Sequence, residues 1–172
     1  MQNNIKEKKD DITYKTSLFT KNEIYEMGYD TETNKTYYLM GDRDGKIENF
    51  LDEVEIDGRK YKPLPARHLL VEKKVILFPS IATPYEDENQ ILKEIQNFIH
   101  KYLDISDVFE QISTYYVLFT WMYDRFNEVP YLRAIGDFGS GKSRMLQTIG
   151  MLCYKPVFTE YWVSKGYICF TF

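Results

Sequence analysis

The segment GDFGSGKS at residues 136–143 constrains the fold of this chain more than any other part of it. It matches the pattern G-x-x-x-x-G-K-[ST] at every fixed position. The apolar residues 131–135 before it predict a short strand, and the apolar spacing of residues 142–154 after it predicts an amphipathic helix. The sequence therefore predicts a strand, a glycine-rich loop and a helix in immediate succession, which is the context that this pattern requires.

The residue types in this loop suit the binding of a phosphate chain. Gly136, Gly139 and Gly141 have no Cβ, so the backbone can adopt positive φ angles and lie close to a ligand. The loop amides and the positive end of the helix dipole would then face one anion site. Lys142 is placed to reach the β- and γ-phosphates and Ser143 to bind Mg²⁺, so the pattern predicts a nucleotide-binding P-loop with ATP and Mg²⁺ as its cofactors. The predicted nucleotide-binding residues are Gly136, Asp137, Phe138, Gly139, Ser140, Gly141, Lys142, Ser143 and Arg144.

Composition limits the classes of protein to consider. The chain has 172 residues, 44% of them hydrophobic and 28% charged, which is typical of a soluble globular protein with one large core or two small ones. The formal net charge is −4, so no overall positive field attracts nucleic acid or anionic lipid. The basic segment RKYK at 59–62 could make only a local contact, and the acidic residues before it favour a solvated hairpin.

The cysteines and histidines predict neither a metal site nor a disulfide framework. Cys153, Cys169, His68 and His100 do not form any metal-binding spacing. The N-terminus has no apolar run of the signal-peptide kind, and the uncharged residues 111–123 are too few to span a bilayer. We therefore expect a cytoplasmic protein without a membrane partner.

The chain divides into three predicted regions. Residues 1–11 are polar and charged and predict a frayed tail. Residues 12–82 carry the turn signals and aromatic runs of a small, mostly antiparallel β-domain, and residues 83–172 predict a helical segment followed by part of a P-loop NTPase core. The predicted fold class is α+β with an α/β C-terminal part, in which two helices precede a strand, the P-loop, a helix and a next strand at 156–159.

Within the β-rich domain, β-prone runs alternate with turn signals. Asp57-Gly58 separates two short alternating runs and predicts a tight hairpin. Residues 69–78 predict a further strand. The proline-bounded residues 79–84 predict a linker to the second domain.

Two helices are predicted before the P-loop. The sequence TPYE at 83–86 is a capping box with proline at the first helical position, so the first helix should begin there. The second helix, at 107–126, is apolar on almost every side and should be buried on most sides. We expect it to pack against the strand before the loop or the helix after it, with Tyr116, Phe119 and Trp121 mostly buried.

Hydrolysis needs more than the loop. A P-loop NTPase also needs Mg²⁺ held from the far side and a positioned water, for which a second acidic residue at the end of a later strand is expected. After Ser143 the sequence offers Glu160 alone, and before the loop the string FLDE at 50–53 is only a faint match. We therefore assign no catalytic residue. We expect the chain to be cut short, to bind nucleotide and to hydrolyse it negligibly.

From residue 115 to residue 159 the chain resembles the P-loop ATPases of phages, plasmids and integrated elements that are of the replication or helicase-primase type. The resemblance rests on FTW at 119–121, YD at 123–124, VPYL at 129–132, GSGKSR at 139–144 and KPV at 155–157. It implies an ATP-binding part of a DNA-replication or helicase-like ATPase, with DNA and further copies of the chain as candidate partners. From Thr159 onward the sequence departs from the Ser/Thr-rich segment, helix and acidic strand end of that family.

Two alternatives stay open at this point. A small-molecule or nucleoside kinase would use the same loop but needs an acidic base and a mobile lid, and the sequence contains no Arg-rich segment of the lid kind. A non-enzymatic interaction module would carry the loop as a vestige, which the departure after Thr159 favours. The sequence leaves the base preference and the oligomeric state undecided.

Overall fold

The computed structural model describes residues 12–128, 130–157 and 167–169, so the predicted tail at 1–11 lies outside the described residues. The chain forms two compact units and has an α+β fold. Unit 1 comprises Met1–Lys74 with Phe78–Pro84, and unit 2 comprises Val75–Leu77 with Tyr85–Phe172. The P-loop sequence lies in unit 2.

Unit 1 is built from short strands in two sheets. The strands are β1 (Thr13–Tyr14), β2 (Ser17–Phe19), β3 (Glu23–Asp30), β4 (Lys35–Asp42), β5 (Ile47–Leu51), β6 (Val54–Ile56) and β7 (Arg59–Lys62). The first sheet is antiparallel with the order β2-β3-β4-β5, and the second has the order β1-β7-β6 with β1 parallel to β7. Leu18, Tyr38 and Val54 are among the buried residues of the core that these strands share. The prediction of a small, mostly antiparallel β-region is confirmed.

The hairpin predicted at Asp57-Gly58 is present, with β6 paired antiparallel to β7. Asp57 has φ 51° and Gly58 has φ 72°, which are the two successive positive angles of the tight turn that suits the twist of a hairpin. Lys62 pairs with Glu53 at 3.2 Å, and both side chains are well exposed. The basic segment is therefore part of a solvated hairpin.

The prediction of a strand at residues 69–78 is wrong for the first half of this segment. Residues Leu69–Glu72 form one helical turn, α1, because the ring nitrogen Nδ1 of His68 accepts a hydrogen bond from the Leu70 amide at 3.3 Å and caps the turn. Lys74 then adopts a positive φ of 50°, which ends the turn. Only Ile76 makes a β-type contact, an isolated antiparallel bridge to Val157.

The segment predicted as a linker is fastened to the sheet of unit 1. The Tyr29 amide donates to the Pro79 carbonyl at 2.9 Å, and the Tyr37 hydroxyl donates to the Ser80 carbonyl at 2.5 Å. Asn49 forms two bonds with Ala82, donating to its carbonyl at 3.0 Å and accepting from its amide at 2.9 Å. Residues 79–82 are consequently extended and belong to unit 1.

The first long helix, α2 (Glu88–Tyr102), begins later than predicted. Its N-cap is Asp87, whose carboxylate accepts from the Gln90 amide at 2.8 Å. The Gln90 side chain accepts in turn from the Glu86 amide at 3.0 Å. These bonds supply partners at the start of the helix, where the amides lack the usual carbonyl four residues earlier, so the DENQ sequence at 87–90 starts the helix and the TPYE sequence before it does not.

Unit 2 is organised around a helical core. It contains α2, α3 (Asp107–Trp121), a 3₁₀ turn (Tyr123–Arg125), β8 (Arg133–Ile135), α4 (Lys142–Gly150) and β9 (Tyr167–Cys169). The buried core residues come from all three long helices and from the chain directly before β8 and directly after α4. They are Ile99, Leu103, Tyr116, Val117, Leu132, Met145, Ile149 and Cys153. The predicted packing of the second helix against the helix after the loop is confirmed.

The prediction that α3 is buried on most sides is wrong. The helix buries polar side chains and exposes apolar ones, which include Val108, Ile112 and Tyr115. Its buried hydroxyls bond within the helix, as Ser113 does to the Phe109 carbonyl at 2.8 Å, so burial leaves them satisfied. Small hydroxyl-bearing side chains also allow close approach to the neighbouring helices. Within the predicted trio Tyr116 is buried, Phe119 is half-buried and Trp121 is 47% exposed.

In the described part of the chain, the strand before the loop has an antiparallel partner and not the parallel one of a P-loop NTPase sheet. β8 pairs antiparallel with β9, with Arg133 opposite Cys169 and Ile135 opposite Tyr167. Of the strand predicted at 156–159, Val157 makes the single bridge to Ile76, and residues 158–159 lie outside the described part of the chain. A parallel partner for β8 is not found among the described residues.

Candidate functional site

The predicted succession of strand, loop and helix is present in unit 2. β8 ends at Ile135, the loop follows, and α4 begins at Lys142. Gly139 and Gly141 have φ angles of 80° and 82°, in the left-handed region. A residue with a Cβ pays about 1–2 kcal/mol to adopt such a conformation, so glycine is the residue that fits both positions. The glycines at these two positions therefore determine the conformation of the loop.

The first half of the loop is tight at Gly136, where a side chain would have to displace Ser140. A Cβ at this position would lie 2.6 Å from the Ser140 Oγ, well inside van der Waals contact. The Ser140 amide donates to the Asp137 carbonyl at 3.2 Å and closes a turn. The loop thus folds back on itself between its first and fifth residues.

Lys142 is held across the loop by oxygen atoms of the loop itself. Its Nζ donates to the carbonyls of Gly136 and Asp137 at 2.8 and 2.6 Å and to the Ser140 Oγ at 3.1 Å. An ammonium group has three donors, and these contacts use all of them. None of the acceptors carries a charge, so the positive charge is fixed in position without being neutralised.

The N-terminus of α4 adds backbone donors beside this charge. The first bond of the helix runs from the Met145 amide to the Gly141 carbonyl at 3.0 Å. The amides of Lys142, Ser143 and Arg144 come before it and have no carbonyl within the helix to bond. The N-cap Gly141 makes no side-chain cap, so the first turn presents bare N–H groups and the positive end of the helix dipole.

The remaining predicted site residues lie together on the open side of the loop. Asp137, Phe138, Ser143 and Arg144 are all exposed, and Phe138 is exposed over its whole surface at 104%. Ser143 stands in the first turn of α4, directly after Lys142. These four side chains, Ser143 among them, are therefore accessible to a ligand.

A cleft of about 470 Å³ adjoins the loop within unit 2. Ser140, Gly141 and Lys142 form one side of it. The other side comes from the end of α2, the connection to α3 and the strand β8, and it includes the charged residues Asp104 and Arg133. The sequence carries no local signal for these two residues, because the fold brings them to the loop from outside the P-loop pattern.

The acidic residues considered for hydrolysis do not complete the site in the described part of the chain. Glu160 lies outside the described residues, and the FLDE string at 50–53 belongs to unit 1. Among the described residues no group of three or more His, Cys, Asp or Glu side chains could hold a metal ion. Within the same residues no helix has both the length and the apolar character needed to cross a bilayer.

The comparisons with protein-family models, curated proteins and solved structures yield no match for this chain. The assignment of a function therefore rests on the geometry of the loop and on the motif resemblance.

Proposed function

We propose that this chain binds a nucleoside triphosphate, ATP with Mg²⁺, at the loop formed by residues 136–143. The geometry around Lys142 carries the proposal, because three loop oxygens fix its ammonium group and the same residue begins α4, whose first amides have no helical carbonyl to bond. A lysine ammonium and a helix N-terminus that converge on one point are the elements from which proteins build phosphate sites. The resemblance to replication-type ATPases extends the proposal to a role in a DNA-replication or helicase-like ATPase.

Each group of the loop has a defined part in this binding. The N–H groups at the start of α4 would donate to phosphate oxygens, and Lys142 would contact the β- and γ-phosphates. The Ser140 Oγ bond, at 3.1 Å the longest of the three made by Lys142, is the one that a phosphate oxygen can replace at least cost. Ser143 would bind Mg²⁺ through its hydroxyl, and the ion would neutralise charge on the phosphates.

Titration calorimetry with ATP and Mg²⁺ tests the proposal on the whole chain. Lys142→Ala should weaken binding about 10- to 100-fold, because it removes a charge-assisted contact of about 1.5–3 kcal/mol. Lys93→Ala is the matched control, since Lys93 is an exposed lysine on α2 of the same unit and does not line the cleft. Equal affinity in wild type and Lys142→Ala would show that the loop is not the site.

One observation favours the second candidate, the non-enzymatic interaction module. Val108, Ile112 and Tyr115 form an exposed apolar stripe along α3, which suits a contact between proteins better than a solvated surface. Sedimentation of wild type and Tyr115→Lys tests this candidate. A chain that associates through the stripe and shows no calorimetric response to ATP would be an interaction module, whereas ATP binding by a monomer would exclude that reading.

A further inference from the structure

The cleft beside the loop has the size of a ligand site. Its volume of about 470 Å³ falls in the range of roughly 300–1,000 Å³ that is typical of small-molecule pockets. Ser140, Gly141 and Lys142 belong both to the loop and to the wall of the cleft. A ligand whose phosphates occupy the loop therefore has its remaining part beside or inside this cleft.

Part of the cleft lining forms an apolar wall. It includes Leu103 and Ile105 from the connection between α2 and α3, Phe109 of α3, and Ala134 and Ile135 of β8. Such a wall suits a flat, weakly polar group and does not suit a phosphate, which loses hydration there without gaining donors. The cleft lining thus combines an apolar surface with the cationic group of the loop.

Asp104 is the acidic residue in a cleft that otherwise carries the positive side chains of Arg133, Lys142 and Arg144. A carboxylate can only accept hydrogen bonds, so it selects a ligand that offers N–H or O–H groups. Nucleosides offer both, through the amino groups of a base and the hydroxyls of ribose. Inorganic phosphates with their protons removed offer neither and are repelled by the carboxylate.

We infer that this cleft is the nucleoside subsite of the nucleotide whose phosphates bind the loop, and that Asp104 accepts a hydrogen bond from the nucleoside. The inference rests on the proposed function. The base lies against the apolar wall, and Arg133 and Arg144 add positive charge to the cleft. The chain then discriminates a nucleoside triphosphate from inorganic polyphosphate through a residue outside the P-loop pattern.

The test compares ATP with inorganic tripolyphosphate, which has the phosphate chain and no nucleoside, both with Mg²⁺ in titration calorimetry. Asp104→Ala should weaken ATP binding about tenfold, the effect of losing one hydrogen bond to a charged group. Tripolyphosphate should bind this variant as tightly as wild type or more tightly, because a repelling charge has been removed. Asp107→Ala is the matched control, an acidic residue three positions further along that does not line the cleft, and it should change neither ligand.

A second variant fills the cleft from an exposed position. Ile135 is 71% exposed at the end of β8, so Ile135→Trp places a large side chain in the cleft without disturbing the core. Ile135→Trp should also weaken the binding of ATP and leave the binding of tripolyphosphate unchanged. Tyr131→Trp is its control, since Tyr131 is 69% exposed and does not line the cleft. 2′-Deoxy-ATP then tests one donor: if Asp104→Ala weakens ATP and leaves 2′-deoxy-ATP unchanged, the carboxylate contacts the 2′-hydroxyl, and if it weakens both alike, the carboxylate contacts the base or the 3′-hydroxyl.

The outcomes separate this inference from the proposed function. If Asp104→Ala weakens the binding of ATP and of tripolyphosphate by the same factor, the residue acts on the phosphates or on Mg²⁺. The inference of a nucleoside subsite would then be wrong. Unchanged ATP binding in both Asp104→Ala and Ile135→Trp would overturn the inference of a nucleoside subsite as well. If wild type binds neither ligand, the proposed function fails and the subsite fails with it.

Discussion

Replacing Gly141 by alanine tests whether the left-handed loop conformation belongs to the binding site. Gly141 is the N-cap of α4 with φ 82° and ψ 8°, and a Cβ built there meets no atom within 4 Å. The substitution therefore creates no clash, and its cost is the left-handed backbone alone, about 1–2 kcal/mol. This energy corresponds to a factor of about 5–30 in an equilibrium constant.

The free-energy cost of Gly141→Ala can appear as a loss of unfolding free energy or as a loss of ATP-binding free energy. If the variant loop keeps its conformation, the free energy of unfolding of unit 2 falls by about 1–2 kcal/mol and ATP binds as before. If the loop relaxes, stability is retained and ATP binds more weakly, because the ligand must restore the conformation. The losses in unfolding free energy and in binding free energy should therefore add up to about 1–2 kcal/mol.

Denaturant unfolding and calorimetry of the same protein measure the two quantities. Gly45→Ala is the matched control, since Gly45 has φ 81°, also meets no atom within 4 Å, and lies in a turn of unit 1. It should show the loss of stability and no change in ATP binding. A Gly141→Ala protein that loses neither stability nor affinity would refute the left-handed conformation of the loop.

Other measurements test separate parts of the description. In calorimetry with a chelator present, Ser143→Ala should bind ATP as tightly as wild type does. The variant should lose the increase in ATP affinity that Mg²⁺ brings in wild type. An unchanged increase would exclude Ser143 as the Mg²⁺ ligand. Burial raises the pKa of Tyr25 from 10.0 to about 12 and raises that of Tyr38 as well, so the contribution of Tyr25 to the stability of unit 1 is complete below about pH 10 and is lost as the pH rises through 12. Unfolding followed against pH should show this loss, and Tyr25→Phe should reduce it. Folded wild-type protein should release phosphate from ATP negligibly, and a rate on the order of 1 s⁻¹ that Lys142→Ala abolishes would reveal a complete catalytic site.

The features that could be predicted from the sequence are those that consecutive residues determine. Asp57-Gly58 defines its own turn because both residues tolerate positive φ, and the hairpin follows from it. The loop and α4 are likewise determined locally, by glycines at the left-handed positions and by the helix that begins at Lys142. In both cases the neighbouring strand or helix was predicted correctly as well.

The start of α2 could not be predicted because two capping sequences compete within a few residues. Residues 83–86 and 87–90 both satisfy a capping pattern, and either could begin a helix. The bonds of Tyr37 and Asn49 to residues 80 and 82 hold the preceding chain extended against the sheet. Those contacts depend on the folded sheet, so tertiary structure selects the later cap.

The buried face of α3 and the residues that line the cleft could not be predicted from the sequence, for a similar reason. Hydrophobicity predicts burial for Val108 and Tyr115, yet the helix turns Ser113 and Thr114 inward, where their hydroxyls bond to helix carbonyls. Asp104 lies far from the loop in sequence and reaches it only through the packing of α2 and α4. Periodicity describes which residues share a face and does not determine which face meets a neighbour.

The loop is separable from the stability of the unit that carries it. The core holds the chain on both sides of the loop, through buried Leu132 before it and buried Met145 and Ile149 after it. Between these anchors Phe138 is fully exposed, and a Cβ at either left-handed glycine would meet no atom within 4 Å, so this part of the loop contributes little to folding. A segment that combines left-handed glycines, an exposed aromatic ring and a fixed positive charge conflicts with what folding alone would favour, and such conflicts concentrate at functional sites. Because the core does not depend on the contacts of Lys142, Lys142→Ala should weaken ATP binding about 10- to 100-fold and leave the fold intact, which makes this loss of affinity a direct measure of the site.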